Sequence, residues 1–405
     1  MAIRFLHTAD IHFGVENYGT IDPITGLHSR LLDFKKSFEF MVDYAIRENL
    51  DLFVFAGDAY KNSYPTPTHQ RVLIKLFLKL LHHGIPVVII VGNHDHPGSA
   101  VKAHSLDVFY HIKHPLCVVF SRPGVTTIHT KSGSIQVIGV PWPFPVLFAK
   151  GKKMNNEEIK AATLGAIAQC KTYLHSDIPS ILVGHLTMAG GVFSGSEKIM
   201  LEGRDPLFQI KDIIDDSILY TALGHLHKYQ YINQKYPEQN PIVYSGSPDR
   251  IDFGERNDVK SCCIVTVEVG KKTEFELVKI PCRPFYQIYI HITSIEEAKK
   301  AIVDELAKYS NIDEAIVKIR YSYDYQYIKY IDMSFLQGLF SSIWCVASIE
   351  CINNYKSKKK ERSSELYEEK NLLDMISLYI DSNESYRVDK ELYVAALKEY
   401  INASN

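Results

Sequence analysis

The sequence predicts an α/β protein in which two β-sheets are flanked by helices, followed by a small α/β unit and C-terminal helices. Short apolar runs of strand length alternate with segments of 3.6-residue periodicity. The rhythm then changes to consecutive short strands, which calls for a second sheet packed on the first. Five of the apolar runs end in His, Asp or Asn, the position at which open α/β sheets carry their sites.

Residues 3–7 read as a first strand and 30–49 as a helix, with Leu31, Phe34, Phe38, Met41, Val42, Ala45 and Ile46 on one face. A strand at 51–56, a helix opened by Pro67 and running to 83, and a strand at 86–91 continue a βαβ rhythm. A helix over 100–112 carries more apolar residues than one core face needs, including Val101, Leu106, Val108, Phe109 and Ile112, so a partner surface is expected there. Short strands at 117–120, 126–129 and 135–140 precede a helix at 156–175. Strands resume at 181–183, 218–223, 242–244, 262–269 and 275–280.

Arg283-Pro284 marks a boundary. Residues 1–282 form the large domain, and 283–352 a small α/β domain with elements at 287–292, 295–309, 315–323, 333–341 and 345–349. In the last segment, 353–405, a charged linker over 356–362 leads to two amphipathic stretches marked by Leu366, Leu372, Leu373, Ile376 and Ile380, then by Leu392, Val394, Ala396, Leu397 and Ile401. These are too short to form a core alone.

The 46% hydrophobic and 23% charged fractions are those of a soluble globular protein. With 45 basic against 47 acidic residues, the formal charge of −2 exerts no global pull on nucleic acid, so any such binding needs a local patch or a partner. Seven cysteines without C-x-x-C spacing read as reduced thiols. No apolar run reaches the roughly 18 to 20 residues that span a bilayer, and no signal-peptide pattern opens the chain; the expectation is a cytoplasmic protein with no membrane contact.

The chemistry sits at the strand ends. Asp10 and His12 follow the first run, Gly57-Asp58 the second and Gly92-Asn93-His94-Asp95 the third; Gly184-His185 and Gly224-His225-Leu226-His227 follow two later ones. Any one of the 17 histidines taken singly is an ordinary loop or core residue. The ordered set, each member after an apolar strand, is not. Donors of N and O type without a thiolate favour Zn, Mn or Fe. A pair of divalent ions roughly 3.5 to 4 Å apart suits in-line displacement at a phosphate ester.

The motifs His7-Thr8-Ala9-Asp10-Ile11-His12, Gly57-Asp58, Gly92-Asn93-His94-Asp95, Gly184-His185-Leu186-Thr187, Leu223-Gly224-His225-Leu226-His227 and Tyr244-Ser245-Gly246-Ser247 together resemble those of the calcineurin-like metallophosphoesterases. More narrowly they resemble the SbcD-type repair nucleases, bacterial relatives of the meiotic recombination nuclease that works with an SMC-like ATPase. The resemblance covers about residues 1–255.

It implies a two-sheet metallophosphoesterase sandwich acting as a DNA exonuclease and endonuclease in double-strand-break repair, with two divalent ions, most readily manganese. It assigns Asp10, His12 and His227 to one metal, Asn93, His185 and His225 to the other, and Asp58 to both. His94 then stands free of metal over the scissile phosphate, with Asp95 orienting it. The small domain caps DNA, the C-terminal helices bind an SMC-like ATPase of SbcC type, and the chain forms a homodimer.

Several relatives carry a second histidine three residues after the bridging aspartate, where this chain has Lys61; phosphate contact and solvated loop lysine both remain open. The alternating Tyr321, Tyr323, Tyr325 and Tyr327 offer base stacking or ordinary sheet packing, and packing is preferred. Arg250, Asp252 and Arg256 are either DNA-facing or surface charge. Two other functions share parts of the pattern. A phosphatase or cyclic-nucleotide phosphodiesterase has no need of residues 283–405, and a catalytically silent scaffold has no need of the full donor set.

Overall fold

The computed structural model describes residues 1–99, 101–148, 154–195, 205–323, 334, 337–338, 340, 343–352, 380 and 393–395. Its strands are β1 (Ile3–Thr8), β2 (Leu52–Phe55), β3 (Val87–Ile90), β4 (Cys117–Phe120), β5 (Gly124–Thr130), β6 (Gly133–Val140), β7 (Ser180–His185), β8 (Thr187–Met188) and β9 (Leu207–Phe208). They continue with β10 (Tyr220–Gly224), β11 (Gln230–Tyr231), β12 (Ile242–Tyr244), β13 (Ser261–Val267), β14 (Glu274–Lys279), β15 (Phe285–Ile292), β16 (Ile316–Tyr323) and β17 (Cys345–Cys351). The helices are α1 (Ser29–Arg47), α2 (Pro67–His82), α3 (Asp107–Ile112), α4 (Pro145–Phe148), α5 (Asn156–Lys171), α6 (Ile210–Ile213) and α7 (Ile295–Leu306).

Two six-stranded sheets face each other, ordered β14-β13-β1-β2-β3-β4 and β11-β12-β10-β7-β6-β5. Side chains on a strand alternate between faces, and β2 and β3 use both. Phe53, Phe55, Val87 and Ile89 face α1 and α2, while Leu52, Val54, Val88 and Ile90 face Val137, Val183, Ala222 and Val243 of the second sheet. The outer face of that sheet, with Ile138, Leu182 and Leu223, packs on Ile167 of α5. The result is a helix, sheet, sheet, helix sandwich. Continuous apolar runs at its centre are the signature of strands buried on both faces.

Strand β4, expected in the second sheet, pairs in parallel with β3 instead, and β13 returns from far along the chain to pair antiparallel with β1. Local patterning carries no sheet address. The helix expected over 100–112 is confined to Asp107–Ile112. Leu106 and Phe109 are buried in the core, the latter edge-on to Phe77 with centroids 5.3 Å apart, whereas Val101 is 92% exposed. The surplus apolar set is therefore divided between core and surface.

Capping explains the ends of α2: the Thr66 side chain accepts from the His69 amide and Pro67 occupies the first turn. Beyond Pro284, the parallel sheet β15-β16-β17 packs Ile288, Ile290, Val317 and Ile319 on Ala298 and Ile302 of α7. Both Nε and NH2 of Arg283 donate to the Asp33 carboxylate of α1 at 2.9 Å, and its guanidinium lies 3.8 Å from the Trp344 ring. Most of the expected C-terminal helices, most of the expected 333–341 element, Tyr325 and Tyr327 lie outside the described residues. No helix among those described is long and apolar enough to cross a membrane.

Candidate metal centre

The turns after β1 and β2 are held together by continued pairing. The Asp10 amide donates to the Gly57 carbonyl at 2.9 Å and the His12 amide to the Asp58 carbonyl at 3.2 Å. To turn their side chains inward at the strand ends, Asp10, His12, Asp58 and His225 adopt φ of +58°, +50°, +57° and +103°. Left-handed backbone at four non-glycine residues costs free energy, and such strain concentrates at functional sites. Gly92 answers a different need, since a Cβ there would stand 2.1 Å from Asp58 Oδ1.

Two donor groups meet at Asp58. His12, Asp58 and His94 form one, and Asp10, Asp58 and His185 the other, each with donor atoms within 4.8 Å of one another. His12 Nε2 is 3.1 Å from His227 Nε2 and 3.6 Å from Asp58 Oδ2. His185 Nε2 is 3.4 Å from the same carboxylate oxygen and 2.9 Å from Asn93 Oδ1, which in turn lies 3.0 Å from His225 Nδ1. Asp10 accepts the His225 amide. All nine residues singled out in the sequence are thus in or beside one cluster, drawn from β1, β2, β3, β7 and β10.

Three of the imidazoles have their second nitrogen fixed from behind. His185 Nδ1 is 2.8 Å from the Ala56 carbonyl, His225 Nε2 is 2.8 Å from Asp205 Oδ2, and His227 Nδ1 is 3.0 Å from Glu255 Oε1. Such partners set the tautomer and direct the other nitrogen inward, as metal-binding histidines require. Asp205 and Glu255 were not legible in the sequence. A set of histidine ligands implies outer acids, but nothing in their spacing says which.

Burial dominates the electrostatics. It pushes Asp10 up to about 7 despite the opposing charges of His185 and His227. Burial and then the Asp58 charge push Asp95 up to about 7. Asp58 itself is held well below the carboxylate range because His185 and His94 outweigh its burial. Burial works to lower His185, but the Asp58 carboxylate prevails and takes it up to about 9. Burial keeps His12 and His225 neutral, with lone pairs free to ligate. Crowded buried carboxylates beside imidazole and amide donors, with no thiolate, suit divalent cations of intermediate hardness.

Asp95, expected to orient His94, does something else. Its carboxylate accepts the amides of Asp58, Ala59 and Gly92 and the Ser105 hydroxyl, all at 2.9–3.2 Å, so it fixes the turn that carries Asp58. His94 is oriented by the backbone of Lys61, whose carbonyl lies 2.7 Å from its Nδ1. Its amide donates to Asp58 Oδ1 at 2.9 Å. Arg250 turns inward, donating to the carbonyls of Arg256, Arg283 and Asp258 as a brace. Asp252 caps the Gly254 amide, and Arg256 donates to the Phe253 carbonyl. Tyr321 and Tyr323 stack with centroids 6.1 Å apart against the small core of the β15-β16-β17 sheet.

Comparison with solved structures finds TT1561 of Thermus thermophilus, at 14% identity and TM-score 0.38, covering 68% of this chain and 99% of that one. A dimetal phosphatase from Danio rerio matches at 10% identity and TM-score 0.40, covering 67% and 98%. A purple acid phosphatase from yellow lupin seeds matches at 12% and 0.40, covering 69% of this chain and 52% of its own. Against protein families, residues 3–229 match the calcineurin-like phosphoesterases. That span takes in every strand end that supplies a donor, and by it the chain belongs to the calcineurin-like phosphoesterase family, whose members are metal-dependent phosphoester hydrolases.

Proposed function

We propose that this protein is a two-metal DNA nuclease that hydrolyses phosphodiester bonds during DNA end processing and works with an SMC-like ATPase. The observation that carries the hydrolytic part is the position of Asp58, reached by donors from both sides, with His94 beside it on the more open edge. Asp10, His12 and His227 would hold one cation, Asn93, His185 and His225 the other, and Asp58 both. Bound cations, most readily manganese, supply Lewis acidity toward a phosphoryl oxygen and a nucleophile at neutral pH.

The chain's own contribution is placement. Second-nitrogen partners and left-handed turns fix the donors before substrate arrives, so little reorganisation remains for the reaction step. His94, held through Nδ1 by the Lys61 carbonyl, has Nε2 left to face a substrate. As imidazolium it protonates the departing 3′ oxygen or stabilises charge developing there.

The sequence motifs support the nuclease reading over a general phosphatase, as does the presence of the additional β15-β16-β17 unit, for which a phosphatase has no need. A homodimer through α2 and α3 and docking of segment 353–405 on the ATPase complete the proposal. End-labelled duplex DNA and a small phosphodiester, each incubated with Mn, Mg or chelator, test it. Metal-dependent release of labelled fragments supports the nuclease; hydrolysis of the small ester alone would identify a phosphatase or small-molecule phosphodiesterase.

A further inference from the structure

Immediately beyond the donor turn, residues 96–99 leave the centre, and 101–104 lead back to it. Asp95 closes the loop at its base, its carbonyl accepting the Ser105 amide at 2.9 Å and its carboxylate accepting the Ser105 hydroxyl. The same carboxylate holds the amides of Asp58 and Ala59. Between this loop and the end of β4 lies a pocket of about 250 Å³, whose lining includes His96, Ser99, Lys102, His104, Ser121 and Arg122.

Several features describe what it accepts. Its volume falls below the roughly 300 to 1,000 Å³ typical of sites for drug-sized ligands, so it suits a small group or part of a longer one. Two permanent cations, two imidazoles and two hydroxyls line it, against the single carboxylate of Asp107. That carboxylate already faces His104 Nε2 at 3.5 Å and His111 Nε2 at 3.2 Å. The His104 side chain is nine-tenths buried, and its Nδ1 has no hydrogen-bond partner. An unpaired buried nitrogen is costly, so a ligand group that reaches His104 Nδ1 is favoured there; burial lowers this imidazole, with Asp107 opposing and His111 adding to the effect. Arg122 is exposed, and Lys102 donates to the Tyr64 hydroxyl at 3.2 Å.

We infer that this pocket is a second phosphate site, taking a backbone phosphate of the same strand whose phosphodiester lies at the metal centre. The inference rests on the nuclease reading above. His96 is two residues beyond His94, so the pocket wall begins within about 7 Å of chain from the cleavage residue. A reach of that length is short against a polymeric substrate, which puts the pocket within range of a strand engaged at the centre. Held there, the strand is registered against the loop that Asp95 ties to Asp58.

The test uses the full-length protein, with Lys102→Ala, Arg122→Ala and the double variant checked for unchanged melting and metal content. Binding of a fluorescent oligonucleotide is measured in chelator across a salt series, so that it does not depend on cleavage. Each substitution should lower the slope of log affinity against log salt by about one. The double variant should bind on the order of ten-fold more weakly at moderate salt, while hydrolysis of bis(p-nitrophenyl) phosphate stays within two-fold of wild type. An unchanged salt slope overturns the inference even if DNA is cleaved. Wild type that binds DNA with the expected variant effects but cleaves only the small ester supports the pocket and sinks the nuclease reading. Inorganic phosphate serves as the second probe: if the substitutions abolish its binding and leave DNA affinity unchanged, the pocket takes free phosphate and the strand assignment is wrong.

Discussion

His227 Nδ1 lies 3.0 Å from Glu255 Oε1, and the other oxygen of that carboxylate lies 2.5 Å from the buried Lys260 ammonium. Lys260 and His227 hold the Glu255 carboxyl well below its usual range against the effect of burial. An imidazole at the metal centre is therefore oriented by an ion pair that is itself out of water.

Substituting Glu255→Gln should leave Lys260 buried without its counter-charge. Breaking one partner of a buried pair costs about 3 to 5 kcal/mol, and loss of an outer partner of a ligand weakens metal binding roughly 10- to 100-fold. Chemical denaturation and metal titration read these separately. Lys260→Met in the same background should recover stability but not metal affinity, whereas recovery of both would show that Glu255 acts on the fold alone. The folded carboxyl has the lower pKa, so its stabilisation is complete above about pH 4.5 and is lost as pH falls through the folded value.

His7 gives a pH dependence of the same sign by a different route. Burial lowers it to about 3, and its nitrogens lie 3.1 Å from the Tyr220 hydroxyl and 3.2 Å from the Leu223 carbonyl. Between about pH 3 and 6.5 the unfolded chain binds a proton that the folded chain does not, so stability rises with pH across that window. The contribution to the slope is at most about 1.4 kcal/mol per pH unit. In His7→Gln the slope between pH 4.5 and 6.5 should be shallower than in wild type. Parallel slopes would show that His7 titrates normally.

His94→Ala should retain bound metal and lose about 10² to 10⁴ in hydrolysis rate, because its Nδ1 is engaged by the Lys61 carbonyl and its Nε2 is assigned to substrate. Its place in a donor group with His12 and Asp58 makes metal analysis the decisive measurement. A variant that has lost one equivalent of metal would make it a ligand. Asp58→Ala should lose both equivalents.

Phe109 belongs to the core and stacks edge-on with Phe77. Phe109→Ala should cost about 3 to 5 kcal/mol, seen as a lower melting temperature, and it is no probe of association. Tyr110 and Ile112, 57% and 48% exposed, are the residues on which to test the proposed dimer. Ile112→Glu should leave melting nearly unchanged and give monomers by light scattering. A wild type that is already monomeric at micromolar concentration removes the dimer from the proposal.

The sequence by itself determined the longer strands, the long helices and the candidate site residues, because each is written locally. Apolar runs of four to six residues specify buried strands, and α1 and α2 show their periodicity without help from elsewhere. The residues from Asp10 to His227 announce themselves by standing at strand ends. What only the tertiary structure decided is non-local. That β4 joins β3 and β13 joins β1 depends on which hydrogen-bonding edge is free when the sheets close, and side-chain pattern does not encode an edge. The roles of Asp95, Asp205 and Glu255 depend on distances across gaps of 36 or 37, 20 and 28 residues. An acid that fixes a turn and an acid that could orient a catalytic imidazole are the same letter in a sequence; which amides and rings its oxygens reach is settled only when the strands bring them within 3 Å or so.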